Sequence, residues 1–198
     1  LKVWQKLGLI VAMLSVAISA VAYFYVAEKN VALAKTRDEL VGVEYISPLK
    51  KLFQHTAQHR GIANIVLSGD ASKRDEMLAV GATIEEDFKA VAKADELYGA
   101  ALKTTDQFNA IRSQWQGLHN VALQLTPQES FAQHTKLIAE MMELIYHVGD
   151  TSSLILDPQL DTYYLASSDV RDIPQTVEAL GQLRGKGAGV AARKQATP

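Results

Sequence analysis

The pattern of apolar and polar positions divides the chain into one unbroken apolar run and a longer region with helical periodicity. The run covers residues 7–27, LGLIVAMLSVAISAVAYFYVA, and contains no charged side chain. A helix of this length extends about 32 Å, which matches a hydrocarbon core about 30 Å thick. The pattern therefore predicts one transmembrane helix.

The charges beside the run predict its orientation. Lys2 and Lys6 precede it, whereas Glu28 and Lys29 follow it as a mixed pair. Because positive residues favour the cytoplasmic side, we expect the N-terminus in the cytoplasm and the residues after about 28 on the other side of the membrane. The chain is expected to cross the membrane once within this fragment.

Two other interpretations of the run stay open. One is a signal peptide cleaved near Ala20-Val21-Ala22, and the other is the buried core helix of a soluble protein. The run is longer than the 7 to 15 apolar residues usual in signal peptides. It is also apolar all round, whereas a core helix at a protein surface has a solvated face. Both points favour a retained anchor.

After residue 27 the apolar residues recur every three or four positions, and no segment alternates as a half-buried strand does. Proline and glycine then mark the predicted helix limits. The first helix reaches about Ser47, where Pro48 kinks it or starts another that ends at Ser68-Gly69-Asp70. Later helices are predicted over 72–98, 105–125, 126–148, 157–171 and from Pro174 onward, the last weakening after Gly185.

This pattern predicts an all-α fold in which an N-terminal transmembrane helix is followed by an antiparallel helical bundle. We expect residues 1–28 to form the anchor with its short cytoplasmic N-terminus. We expect residues 29–198 to form a helical domain outside the cytoplasm that is truncated at its C-terminal end.

Composition narrows the function. The net charge of −2 offers no basic stripe for phosphates, so nucleic acid is not an expected partner. The chain has no cysteine, which excludes disulfides and thiolate chemistry, and it carries no recognisable catalytic motif. We expect neither enzymatic activity nor a cofactor. His55 and His59, four residues apart, could bind zinc or haem with a further ligand, but no HExxH pattern accompanies them and no metal site is predicted.

Two arginines interrupt apolar helical stripes. Arg60 lies in Gln58-His59-Arg60-Gly61, and Arg184 lies in Gln182-Leu183-Arg184-Gly185, so both share the pattern Gln-x-Arg-Gly. A buried arginine needs a partner because an unpaired buried charge costs several kcal/mol. The partner is either an internal carboxylate, with Asp157, Asp161 and Asp169 as candidates, or a bound anion held by the planar guanidinium. The remaining alternative is a side chain at the bundle edge that extends its charged end to solvent.

Two further side chains are candidate ligand contacts. His59 precedes Arg60 in the first motif, and Tyr164 belongs to a polar group, Asp161-Thr162-Tyr163-Tyr164, that opens the predicted fifth helix. Amphipathic side chains of this kind line many small-ligand pockets, but they also pack between helices with satisfied hydroxyls. The complete set of predicted ligand contacts is Arg60, Arg184, His59 and Tyr164.

Two parts of the sequence carry specific blocks: LDPQLDTYYL at 156–165 followed by LGQLRGKG at 180–187, and HRGIANIVLSGD at 59–70. With the first of these, residues 130–194 resemble the helical sensor region of bacterial methyl-accepting chemotaxis proteins, and 59–70 is similar to an earlier block of the same sensors. Gln159 and Thr162 depart from the acidic residue and the serine that the pattern favours.

The resemblance implies localisation in a bacterial inner membrane, with residues 29–198 as the periplasmic helical sensor domain of a homodimer. Its helices are expected to bind a small molecule, for which an anion is one candidate class. The resemblance also implies signalling to a cytoplasmic histidine kinase and its coupling protein through C-terminal modules absent from this fragment. A sensor histidine kinase or diguanylate cyclase would use the same kind of sensor region. A structural dimerisation module without a ligand is the third alternative.

Overall fold

The computed structural model describes residues 2–156 and 160–193, and within them it is all helical, as predicted. The six α-helices are Val3–Leu67 (α1), Arg74–Leu102 (α2), Thr105–Val121 (α3), Pro127–Thr151 (α4), Leu160–Ser167 (α5) and Ile173–Arg193 (α6). A short 3-10 helix, Ala71–Lys73, precedes α2, and a π-helical turn, Ser168–Asp172, joins α5 to α6.

Residues 1–38 and 39–198 form two compact units. The first unit contains the apolar run, which is long and apolar enough to cross a membrane and is not buried inside the protein. This exposure agrees with a membrane anchor and disfavours the interpretation as a soluble core helix.

The second unit contains the bundle core. Pro48 lies within α1 and neither ends the helix nor starts a new one. The core side chains come from the later part of α1 and from α2, α3 and α4. The largest fully buried apolar residues are Trp115, Tyr45, Phe88, Leu49, Leu52, Ile84, Ile111, Leu137, Ile138, Met141 and Leu144.

Side-chain contacts define the helix directions. The Tyr45 hydroxyl donates to Asp95 (2.8 Å), whereas His55, further along α1, meets Asp87, earlier on α2. Sequence numbers that rise on α1 and fall on α2 mean that these helices are antiparallel. By contrast, α1 and α6 are parallel, because Lys50 meets Asp169 and later residues of α1 meet later residues of α6.

The predicted start of α4 is confirmed. The Thr126 hydroxyl accepts from the Glu129 backbone N–H (3.2 Å), and the Glu129 carboxylate accepts from the Thr126 N–H (2.9 Å). This capping box satisfies two backbone donors that the first helical turn leaves free. The predicted start of the fifth helix at Asp157-Pro158 lies outside the described residues.

Pro174 is the second residue of α6, which follows the π-helical turn without a break. The π-helical turn ends just before it, and Val170 in that turn is buried against Gly149 of α4. We expected the last helix to weaken after Gly185, but α6 continues to Arg193.

Candidate functional site

Arg60 is buried where α1, α4 and α6 meet. Its two terminal nitrogens donate to the two carboxylate oxygens of Glu178, at 2.5 and 3.0 Å, and Nη1 also donates to the Thr135 hydroxyl at 3.0 Å. The guanidinium lies 4.9 Å from the centre of the Phe131 ring. Arg60, Glu178, Thr135 and Phe131 are called the Arg60 cluster below.

Nε is the one nitrogen of the Arg60 guanidinium that makes no hydrogen bond to the described residues. This nitrogen is buried. The side chain as a whole is fully buried, and the Glu178 side chain is 9% exposed. One planar cation therefore faces one planar anion at the edge of the core, a bidentate arrangement of the kind that recognises carboxylates and other oxyanions.

Glycines on α6 make this close approach possible. Gly181, Gly185 and Gly189 are spaced four residues apart, so they share a helix face with Glu178. A Cβ atom at these positions would lie 3.2 Å from Arg60 Nη2, 2.9 Å from Phe131 Cε2 and 2.3 Å from Asn64 Nδ2, respectively. Glycine thus admits the Arg60 cluster between the helices. Asn64 also donates to the Gly185 carbonyl at 2.8 Å.

His59 is also buried, but it belongs to a separate aromatic group. The His134 Nδ1–H donates to the Ser130 carbonyl (2.7 Å), so its Nε2 accepts from the His59 Nδ1–H (2.8 Å). The His59 ring lies edge-on to Trp115, with ring centres 5.2 Å apart.

Burial keeps both histidines neutral. It lowers the pKa of His59 to about 3, assisted by the neighbouring His134 and His119, and the pKa of His134 to about 4, assisted by the Arg60 charge. Neutral rings are required here because the chain of hydrogen bonds uses one ring nitrogen as an acceptor. His59 therefore supports the core beside Arg60 and offers no positive charge to an anion.

Arg184 is exposed, so the predicted buried position on an apolar stripe is wrong. The stripe itself is exposed too, with Ile173, Val177 and Leu180 at 53, 46 and 61%. The buried face of α6 instead carries Pro174, Glu178, Gly185 and Gly189. The small glycines sit against α1 and α4, which leaves the larger apolar side chains outside.

Arg184 lines an open groove of about 230 Å³ that we call the Arg184 groove. Its other lining residues are Gln58, Gly61, Ile62, Ile65, Glu76, Gly185 and Ala188. Members of both Gln-x-Arg-Gly motifs meet here, because Gly61 and Gln58 come from the first and Arg184 and Gly185 from the second. The structure brings the two motifs together.

Tyr164 stands apart from both arginines in its contacts. Its side chain is 60% exposed, and its ring packs edge-on against Tyr163, with ring centres 5.5 Å apart. No residue of α5 is buried. Its predicted role as a ligand contact therefore stays a prediction without support from the packing.

Sequence reasoning missed Glu178, the partner of Arg60, and proposed three aspartates instead. The available signal was its helical spacing of three, seven and eleven residues from Gly181, Gly185 and Gly189, which marks one close-packing face. Asp169 bonds Lys50 (2.6 Å) rather than Arg60. Within the described ranges, no three His, Asp or Glu side chains are placed to hold a metal ion.

A family model described as nitrate and nitrite sensing matches residues 51–198, about three quarters of the chain. The match includes Arg60 and every other residue of the Arg60 cluster. No curated protein and no solved structure matches the chain.

Proposed function

We propose that this chain, which belongs to the nitrate and nitrite sensing family of sensor domains in bacterial signalling proteins, binds nitrate or nitrite at the Arg60 cluster. Its helical region would then report the anion to a signalling module on the other side of the membrane. Arg184, in the adjoining groove, would hold the anion on its way in or share it with Arg60.

The observation that carries the proposal is the bidentate contact between Arg60 and a buried carboxylate. Nitrate and carboxylate are both planar, both carry one negative charge and both present two oxygens side by side. A guanidinium donates two parallel N–H groups to such a pair of oxygens, and it is positively charged at any physiological pH. The site thus already holds a group with the shape and charge of the proposed ligand.

Arg184 supports the proposal in a different way. It is exposed, and it forms no ion pair with any described residue. Its cationic end is therefore available to a dissolved anion at the surface above the crossing of α1 and α6. His59 is a neutral, buried ring that packs in the core next to Arg60 and is not proposed to bind the anion. Tyr164 is not proposed as a ligand contact either.

The cellular arrangement is also part of the proposal. Residues 1–28 would anchor the chain in the bacterial inner membrane with the N-terminus in the cytoplasm, and residues 29–198 would lie in the periplasm as half of a homodimer. The apolar run and the charges before it support this orientation.

A chemoreceptor output, through a coupling protein and a histidine kinase, is the form we propose on the resemblance of residues 130–194. Joining residues 1–198, through an added second membrane-spanning helix, to the cytoplasmic part of a chemoreceptor and measuring kinase activity tests this output. Nitrate-dependent kinase control is expected, whereas a response seen only with a sensor kinase or cyclase module would contradict it.

Isothermal titration of the purified chain in detergent tests the binding itself. Sodium nitrate and sodium nitrite are the ligands, with sodium chloride and a set of organic acids at matched ionic strength for comparison. We expect saturable binding of nitrate or nitrite that is lost in Arg60→Lys, since lysine keeps the charge but cannot form the planar fork. We expect weaker binding in Arg184→Ala.

Arg112→Ala is the matched control, because Arg112 is an exposed arginine on α3. It should leave the affinity unchanged. Absence of nitrate and nitrite binding by the folded wild-type chain would overturn the proposal, as would binding that is indifferent to both Arg60 and Arg184.

A further inference from the structure

We propose that Glu178 is an internal counter-ion that occupies the anion position on Arg60, and that the sensed anion takes this position by displacing it. The inference rests on the proposed function, because it assumes that the anion binds Arg60. It adds that Glu178 and the sensed anion compete for the Arg60 guanidinium.

Charge balance at Arg60 requires such an exchange. The guanidinium is fully buried, and Glu178 already neutralises it. A second anion added to this neutral pair would be buried without a cation of its own, which costs several kcal/mol. An anion that replaces the carboxylate keeps one positive and one negative charge in place.

Donor geometry points the same way. Both terminal nitrogens of Arg60 are directed at Glu178, and Nη1 is shared with Thr135. The third nitrogen, Nε, is buried and without a partner among the described residues. A nitrate in place of Glu178 can use the terminal nitrogens, and its third oxygen, which a carboxylate lacks, is an additional acceptor.

An open groove beside Glu178 can receive the displaced carboxylate. Glu178 lies at the wall of this groove, which has a volume of about 430 Å³ and also contains Gln182 and Lys186. Gln182 already donates to Glu178 Oε1 at 2.8 Å. A side-chain rotation into this groove would return the carboxylate to water and to polar neighbours, without unfolding α6.

The exchange would remove one polar contact between α1 and α6. Among the described residues, the Arg60–Glu178 pair lies between two other polar links from α1, namely Lys50 to Asp169 in the π-helical turn before α6 and Asn64 to the Gly185 carbonyl on α6. Anion binding would break the middle link and leave the two outer ones. The protein would thus convert ligand binding into the loss of a specific contact between helices.

Glu178→Gln tests the inference. Glutamine keeps the size and an acceptor oxygen but removes the charge that competes. If Glu178 covers Arg60 in more than nine tenths of the unliganded molecules, its removal should tighten nitrate binding at least about tenfold. The measurement is titration of sodium nitrate into the full chain in detergent, at an ionic strength held constant with sodium chloride.

Glu86→Gln is the matched control, because it removes the same charge from an exposed residue paired with Lys89. Its nitrate affinity should equal that of the wild type. Thermal unfolding followed by circular dichroism identifies any variant that has not folded. If Glu178→Gln does not fold, Glu178→Asp replaces it as the test. The shorter aspartate keeps the charge but reaches Arg60 less well, so this variant should also bind nitrate more tightly than the wild type.

The outcomes separate the two claims. Tighter binding in Glu178→Gln, including binding that appears only in this variant, supports the displacement. Wild-type binding that is unchanged or weakened by Glu178→Gln overturns the displacement and leaves the proposed function intact. Nitrate binding in neither folded protein overturns both.

Discussion

Gly61 of α1 and Gly185 of α6 lie against each other at the crossing of the two helices. A Cβ atom on Gly185 would be 3.9 Å from the Gly61 Cα and 2.9 Å from Phe131 Cε2. Each glycine directly follows the arginine of a Gln-x-Arg-Gly motif. The repeated motif therefore has a packing role, because it lets the two helices approach closely enough for Arg60 to reach Glu178.

Gly185→Ala should destabilise the bundle by about 1–3 kcal/mol, since the new methyl group overlaps the Phe131 ring in a closely packed position. Gly187→Ala is the control, two residues further along α6, where nothing lies within 4 Å of the added atom. It should be neutral or stabilise by up to about 1 kcal/mol through helix propensity. Denaturant unfolding in detergent measures both, and equal effects would contradict the packing role.

Arg60→Met should lower the free energy of unfolding by less than about 3–5 kcal/mol, the loss typical of breaking a buried ion pair, because Glu178 can turn its carboxylate into the open groove beside it. The double variant Arg60→Met/Glu178→Met should recover most of this loss, since two apolar side chains replace a buried ion pair. Both variants should fail to bind nitrate. A double variant no more stable than Arg60→Met would show that the pair is not the main partner of either residue.

The stability of the bundle should fall as the pH is lowered below 6.5. His59 and His134 have pKa values of about 3 and about 4 in the fold, both below the usual 6.5, so only the unfolded chain takes up protons there. The stability from keeping them neutral is complete above 6.5 and is lost as the pH falls toward their folded pKa values. The slope approaches about 1.4 kcal/mol per pH unit for each histidine.

Denaturant unfolding between pH 7 and 5 measures this slope. His134→Gln removes one of the two titrating groups and should roughly halve it, while the amide keeps a donor and an acceptor near His59. A free energy of unfolding that stays constant over this range in the wild type would contradict the assignment of two neutral buried histidines.

The absence of cysteine allows a direct test of membrane orientation. Lys2→Cys and Lys93→Cys place single thiols at exposed positions before the apolar run and on α2. In intact cells a membrane-impermeant maleimide should label Cys at 93 only, and lysis should expose the thiol at position 2. Labelling of both in intact cells would contradict a cytoplasmic N-terminus.

Most of the fold could be predicted because it depends on features of neighbouring residues in the sequence. The uncharged run, the capping box at Thr126 and the three-to-four spacing of apolar residues in α2 to α4 all agree with the observed helices. Pro48 was the main ambiguity, because the loss of one helical hydrogen bond can be tolerated when the surrounding residues are buried in a bundle.

The site was predicted only in part, since it depends on contacts between distant segments. Arg60 stood out as a cation on an apolar face, and its burial is confirmed. Arg184 had the same pattern, but the glycine face of α6 took the inner position and left Arg184 outside. Glu178 lies 118 residues from Arg60, and no local periodicity links two such residues.

A crystal structure of the chain grown with sodium nitrate is the most direct test of an anion site at Arg60. We expect a planar anion within hydrogen-bond distance of the Arg60 terminal nitrogens, with the Glu178 carboxylate turned into the neighbouring groove. An unchanged Arg60–Glu178 pair at a nitrate concentration that saturates binding, with the nitrate bound elsewhere, would contradict it.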